Sequence, residues 1–96
     1  MPAYVIADVD VADPQRYADY TAQVPATLEP YGGRFLVRGG ATDTIEGDWL
    51  PRRLVVIEFP SVDAAQRWYD SPEYQAIVGV RHEASIARMI LAAGAE

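Results

Sequence analysis

The sequence predicts an α+β fold of the ferredoxin-like type. It has βαββαβ order, a four-stranded antiparallel sheet in the order 4-1-3-2, and its helices on one face. Three observations predict it. Residues alternate apolar and polar near both ends of the chain, as strands half-covered by a core do. Two stretches with helical spacing and capping signals lie between them. Two further strand patterns, Arg34–Arg38 and Leu54–Phe59, sit side by side in the middle with turn chemistry between them. The 96 residues fit one domain, residues 1–96, with a single core.

Along Tyr4–Val11, residues Val5, Ala7 and Val9 fall on one face and Tyr4, Ile6 and Asp8 on the other. Asp13-Pro14 opens the first helix, Asp as cap and Pro at the first helical position. Its stripe is Tyr17, Tyr20, Val24, Leu28 and Tyr31. Pro25 inside that stripe predicts a kink or a division into two pieces, and Gly32-Gly33 ends it. In the second strand, Phe35 and Val37 share one face, and Arg34, Leu36 and Arg38 the other. Gly39-Gly40 reads as a bulge or bend with pairing continued beyond it, because Thr42, Thr44 and Ile45 favour extended backbone. Glu46–Pro51 is a turn carrying Trp49.

The third strand, Leu54–Phe59, is β-branched and apolar except for Glu58, and reads as interior to the sheet. Ser61 caps a helix with Ala64, Ala65 and Trp68 on its apolar edge. Ser71-Pro72 stops it and starts another, carrying Tyr74, Ile77, Val78 and Arg81. Ser85–Leu91 is the last strand, with Ala87, Met89 and Leu91 opposite Ile86, Arg88 and Ile90, and Ala92–Glu96 is expected to fray.

Composition narrows the function classes. The formal charge is −6 and all eight basic residues are Arg. That balance argues against nucleic acid and anionic membranes, and no apolar run approaches the ~20 residues of a membrane span. Without Lys there is no side-chain Schiff base. Without Cys there is no thiolate, disulfide or Cys-bound metal, and a cytoplasmic location is expected. The opening Met-Pro-Ala-Tyr has no basic n-region, so no secretory signal is expected. A single His and glycine pairs that match neither phosphate-loop pattern predict no metal site and no cofactor.

The sheet face away from the helices would expose Tyr4, Ile6, Leu36, Leu54, Val56, Ile86 and Ile90. Leaving that many apolar side chains in water forgoes on the order of 10 kcal/mol. A soluble monomer rarely shows such a patch, so a homodimer is expected, sheet against sheet.

Four segments carry a resemblance: Tyr31–Gly40 (YGGRFLVRGG), Glu46–Trp49 (EGDW), Arg53–Ser61 (RLVVIEFPS) and Trp68–Tyr74 (WYDSPEY). Together they resemble the domain of unknown function 1330 family. The resemblance implies a dimeric α/β barrel, an architecture shared with small cofactor-free monooxygenases, and it implies no particular reaction.

Strand parity puts Asp8, Arg38, Glu58 and Arg88 on the face away from the helices. Sharing an enclosed space, they would form an anion-binding or proton-transfer site. Arg38 would hold a carboxylate or enolate, and Glu58 or Asp8 would act as base. The same residues fit a cross-strand charge ladder that fixes dimer register, which makes the chain a purely structural module. His82, at a helix end, is a further candidate for proton transfer or a solvated helix-end cation. Trp68, Tyr69 and Tyr74 either pack the core or line a ligand pocket between helices and sheet. Trp49, on a turn, is expected to clamp a second subunit or lid the cavity. The ligand these expectations suit is a small organic molecule, anionic where it meets Arg.

Overall fold

The computed structural model describes residues 1–95. Glu96, the end of the tail expected to fray, lies outside the described residues. The elements are β1 (Ala3–Val11), α1 (Pro14–Leu28), a 3-10 turn (Glu29–Tyr31), β2 (Arg34–Arg38), β3 (Leu54–Phe59), α2 (Val62–Asp70), α3 (Pro72–Ala84) and β4 (Ser85–Ala93). All pairings are antiparallel and the sheet order is β2-β3-β1-β4, the expected 4-1-3-2 read from the other edge. The fold is ferredoxin-like.

Local chemistry accounts for the helix starts. Asp13 Oδ1 accepts from the Arg16 amide, Ser61 Oγ from the Ala64 amide and Ser71 Oγ from the Tyr74 amide. Pro at the first turn of α1 and of α3 removes a donor that would have no helical partner. Val5, Ala7, Val9, Ile57 and Phe59 point from the sheet into these helices and are buried with Tyr17, Tyr20, Val24, Leu28, Trp68 and Tyr74. That layer is the core.

Pro25 does not divide α1, which runs unbroken to Leu28. Proline lacks the N–H that would bond the carbonyl four residues back, at Thr21. The Arg38 guanidinium supplies the missing donor, Nη2 to Thr21 O at 2.9 Å. A side chain from β2 thus satisfies the carbonyl that the proline orphans.

Three expectations are corrected. The bulge lies between Phe35 and Val37, inside β2, and not at Gly39-Gly40. Phe35 pairs with the buried Ile57, yet Val37 pairs with Val56 on the other face and Arg38 pairs with Val55. The extra residue inverts parity, so Val37 leaves the helix face and Arg38 joins it. Regular pairing also stops at Arg38. Thr42, Thr44 and Ile45 lie in an irregular 39–53 loop, because β3 begins only at Leu54 and offers them no ladder. Finally, β4 extends to Ala93, and the Gly94 amide donates to Pro2 O at 2.8 Å, so most of the tail is tied down.

Candidate functional site

The four charges read from parity do not converge. Asp8 is opposite Leu54 and Arg88, whereas Glu58 is opposite Tyr4 and Arg34. Asp8 and Glu58 therefore stand four residues apart along the sheet, about 13 Å at strand rise. Glu58 is held by Arg34, whose Nε donates at 2.8 Å. Arg34 takes the place expected for Arg38, which the bulge turns to the other face.

Asp8 anchors the 39–53 loop. Its Oδ2 accepts from the Trp49 indole at 3.0 Å and from Arg88 at 3.4 Å, and its Oδ1 accepts from the Arg52 amide at 3.0 Å. The indole bond, opposed by some burial and aided by Arg52 and Arg88, holds its pKa below the usual carboxylate value. Arg88 itself is largely exposed. Trp49 remains half-exposed and lines a surface hollow together with Ile6, Arg88 and Ile90.

A different set of residues converges on the helix side. A chamber of about 30 Å³ lies between α1, α3 and the sheet, within a wall that includes Tyr17, Tyr20, Val55 and Trp68. Three arginines enter it, Arg38 from β2, Arg53 from the foot of β3 and Arg81 from α3, and no Asp or Glu lines it. In a chain of net charge −6 that concentration of cations calls for an anion. Among the described residues, two buried side-chain polar atoms lack a hydrogen-bond partner: Nε of Arg53 and Nε of Arg81. Both residues line this chamber. Buried donors are nearly always satisfied, so two orphaned guanidinium donors on residues that line one cavity call for an explanation.

Arg81 is 6% exposed, with Nη2 3.4 Å from His82 Nε2. Beside it the Tyr20 and Tyr74 hydroxyls share a 2.7 Å hydrogen bond, and the Trp68 indole donates to Thr27 Oγ1 at 3.0 Å. Burial, reinforced by Tyr74, drives the Tyr20 hydroxyl far above its ordinary pKa. Burial also raises Tyr74, against the lowering pull of Tyr20 and Arg81. For Arg81, burial works against the charge, but the Tyr74 and Tyr20 hydroxyls outweigh it and the pKa is raised. At neutral pH both tyrosines therefore keep their protons and Arg81 its charge, so the chamber stays positive.

Arg81, Val5 and Met89 also border an open groove of about 720 Å³ between α2, α3 and β4. Ala65, Tyr69, Ala87 and Leu91 give this groove apolar surface, and Gln66, Asp70 and His82 add its polar groups. A small amphiphile could lie there with its charged end at Arg81.

Of the residues the sequence singled out, Tyr69 and His82 line the groove and Trp68 lines the chamber. Tyr74 sits behind it, bonded to Tyr20. Asp8, Glu58, Arg88 and Trp49 lie on the other side of the sheet. Sequence reasoning missed Arg53 and Arg81 as site residues. The available signal was an Arg inside the apolar stripe of α3, a position where a charge needs a partner or a use.

The sequence profile of the family described as Domain of unknown function (DUF1330) matches residues 2–95. The chain belongs to that family. No curated protein sequence matches this DUF1330 chain. Among solved structures, a protein of unknown function from Rhodopseudomonas palustris superposes with a TM-score of 0.77 at 22% identity, covering 99% of this chain and 83% of that one. SnoaB, a cofactor-independent oxygenase from Streptomyces nogalater, gives 0.66 at 16% identity, covering 99% and 94%. A dimeric ferredoxin-like protein of unknown function from Thermobifida fusca gives 0.63 at 15% identity, covering 98% and 92%. At these identities the likeness is one of fold. Among the described residues of this DUF1330 chain, no helix is long and apolar enough to cross a membrane.

Proposed function

We propose that this DUF1330 protein is a cytoplasmic homodimer whose subunits each bind a small organic anion between helices and sheet. The anion's acidic group sits on Arg81, and its apolar body lies in the groove along β4. One observation carries the binding reading: Arg81 is a buried arginine with an unpartnered Nε, and it lines a chamber with no carboxylate. A resting fold without a use for that donor would have replaced it with an apolar side chain at little cost.

The homodimer is supported by the outer sheet face, where Ile86 is 76% exposed, Ile90 61% and Leu36 47%. Exposed Ile45, Trp49 and Leu50 of the adjoining loop extend that surface. A neighbour of the same fold is described as dimeric. On this reading the Arg34–Glu58 and Arg88–Asp8 pairs set the register of the two sheets, which is a structural role. The likeness of fold to SnoaB, described as a cofactor-independent oxygenase, supports the reading by analogy alone.

Native mass spectrometry of the protein from its own host tests both parts. The reading predicts a dimer carrying a small acidic adduct, and loss of the adduct but not of the dimer in Arg81→Gln. A bare dimer that also fails to take up added benzoate would overturn the binding reading. A monomer at micromolar concentration would overturn the assembly.

A further inference from the structure

Resting on that reading, the place of β4 in the sheet joins the anion site to the assembly. β4 pairs with β1 on one side, and among the described residues no strand lies beyond it. Its alternation sends Ala87 and Met89 toward the core, where both pack on buried residues, and leaves Ile86 and Ile90 exposed on the outer face. The groove of about 720 Å³ is bordered by all four. Ile86 and Ile90 thus belong at once to the groove and to the outer face of the sheet. In the single subunit the groove lies open along this edge.

Charge argues that the outer face is covered by a second copy of this chain. The 39–53 loop exposes Asp43, Glu46 and Asp48, and among the described residues none of the three forms an ion pair. The strands of the same face present the largely exposed side chains of Arg34 and Arg88. One surface therefore carries unpaired carboxylates, exposed guanidiniums and bare apolar side chains together. Such a surface can meet its own copy across a two-fold axis, with acidic loop against arginine and apolar against apolar.

We infer that the second copy forms the missing wall of the groove, so that each anion site is complete only in the dimer and binding is linked to assembly. A partner that covers Ile86 and Ile90 takes the side of the groove they border out of water. The apolar body of a ligand lying along β4 then gains contacts that a lone subunit lacks. That difference in affinity between dimer and monomer is what linkage requires, and it is reciprocal: the ligand must tighten the dimer. With two sites per dimer the effects multiply. A coupling of about fivefold at each site tightens the dimer about 25-fold at saturation.

Analytical ultracentrifugation of the full chain, from nanomolar to micromolar concentration with and without saturating benzoate, tests this. The dimer dissociation constant should fall about 25-fold with benzoate. In Arg81→Gln the benzoate effect should vanish. Leu36→Asp, on the outer face of β2 and outside the groove, loosens a dimer too tight to dissociate in wild type, and benzoate should tighten it likewise. If titration shows benzoate bound while the dissociation constant stays the same or rises, the linkage is wrong, and the site and the dimer stand. Tightening that persists in Arg81→Gln would be a bulk salt effect and would overturn the inference equally. If benzoate does not bind, or no dimer forms, the inference fails together with the reading it rests on.

Discussion

Replacing Arg81 by methionine should make the ligand-free protein more stable while removing its ability to bind anions. Arg81 is 6% exposed, its Nε has no acceptor, and no carboxylate lines the chamber it enters. An unsatisfied buried donor costs about 1–3 kcal/mol, more when charged. Methionine keeps the length and most of the packing of the aliphatic stem. Against the gain stands the loss of the contacts with the Tyr74 and Tyr20 hydroxyls, about 0.5–1.5 kcal/mol in all if they are ordinary hydrogen bonds. The balance is a gain of about 1 kcal/mol. For a domain of this size that raises Tm by about 4–8 °C, or the urea midpoint by about 0.5 M. The assay is urea and thermal denaturation at one fixed protein concentration, since dimer stability depends on concentration. A loss of 1 kcal/mol or more in ligand-free Arg81→Met would show that the guanidinium is satisfied in the resting fold. The chamber would then be structural, and the argument from its orphaned donors would fail.

Other perturbations address separate parts of the account. Arg38→Ala should cost about 1 kcal/mol in wild type and clearly less in Pro25→Ala, where an alanine N–H bonds Thr21 O instead; a double-mutant cycle in urea reads the coupling, and strict additivity would dismiss the compensation. Ile90→Asp, at a position 61% exposed in the single chain, should push the dimer to monomer in analytical ultracentrifugation at micromolar concentration while circular dichroism stays native; an unchanged dimer would move the interface elsewhere. The Asp8 pKa is lowered in the fold, so its contribution is present above the unfolded value of 3.8 and is lost as pH falls through the lower folded value. Trp49 fluorescence should therefore change in that acid range in wild type and not in Asp8→Ala, whose indole is already released; identical acid titrations in the two proteins would refute the latch.

Much of the fold was legible because its signals are local. Asp13-Pro14, Ser61 and Ser71-Pro72 announce helix starts through residues that bond their own neighbours. Val5, Ala7 and Val9 announce a strand face by simple alternation. What was not legible belongs to pairing between strands. The bulge at Leu36 leaves no mark in the alternation of Arg34–Arg38, yet it reverses the faces of Val37 and Arg38 and takes Arg38 out of the charge cluster, while the β1–β3 register separates Asp8 from Glu58. Thr42, Thr44 and Ile45 have strand-like side chains and no strand to join. The candidate site was hidden for a similar reason. Arg53 precedes a strand, Arg81 sits in a helix 28 positions further on, and only the packing of α3 on the sheet brings them to one cavity.

The arginine Nε–H signals provide the most direct measurement of the central claim. In an amide-type correlation spectrum of labelled protein, the buried Nε–H groups of Arg53 and Arg81 should appear as slowly exchanging peaks, assigned by their loss in Arg53→Lys and Arg81→Lys. The account predicts that adding benzoate moves the Arg81 peak downfield and saturably, as a donor acquires a charged acceptor. Benzoate that leaves the Arg81 peak in place while shifting surface arginines such as Arg67 or Arg88 would contradict it.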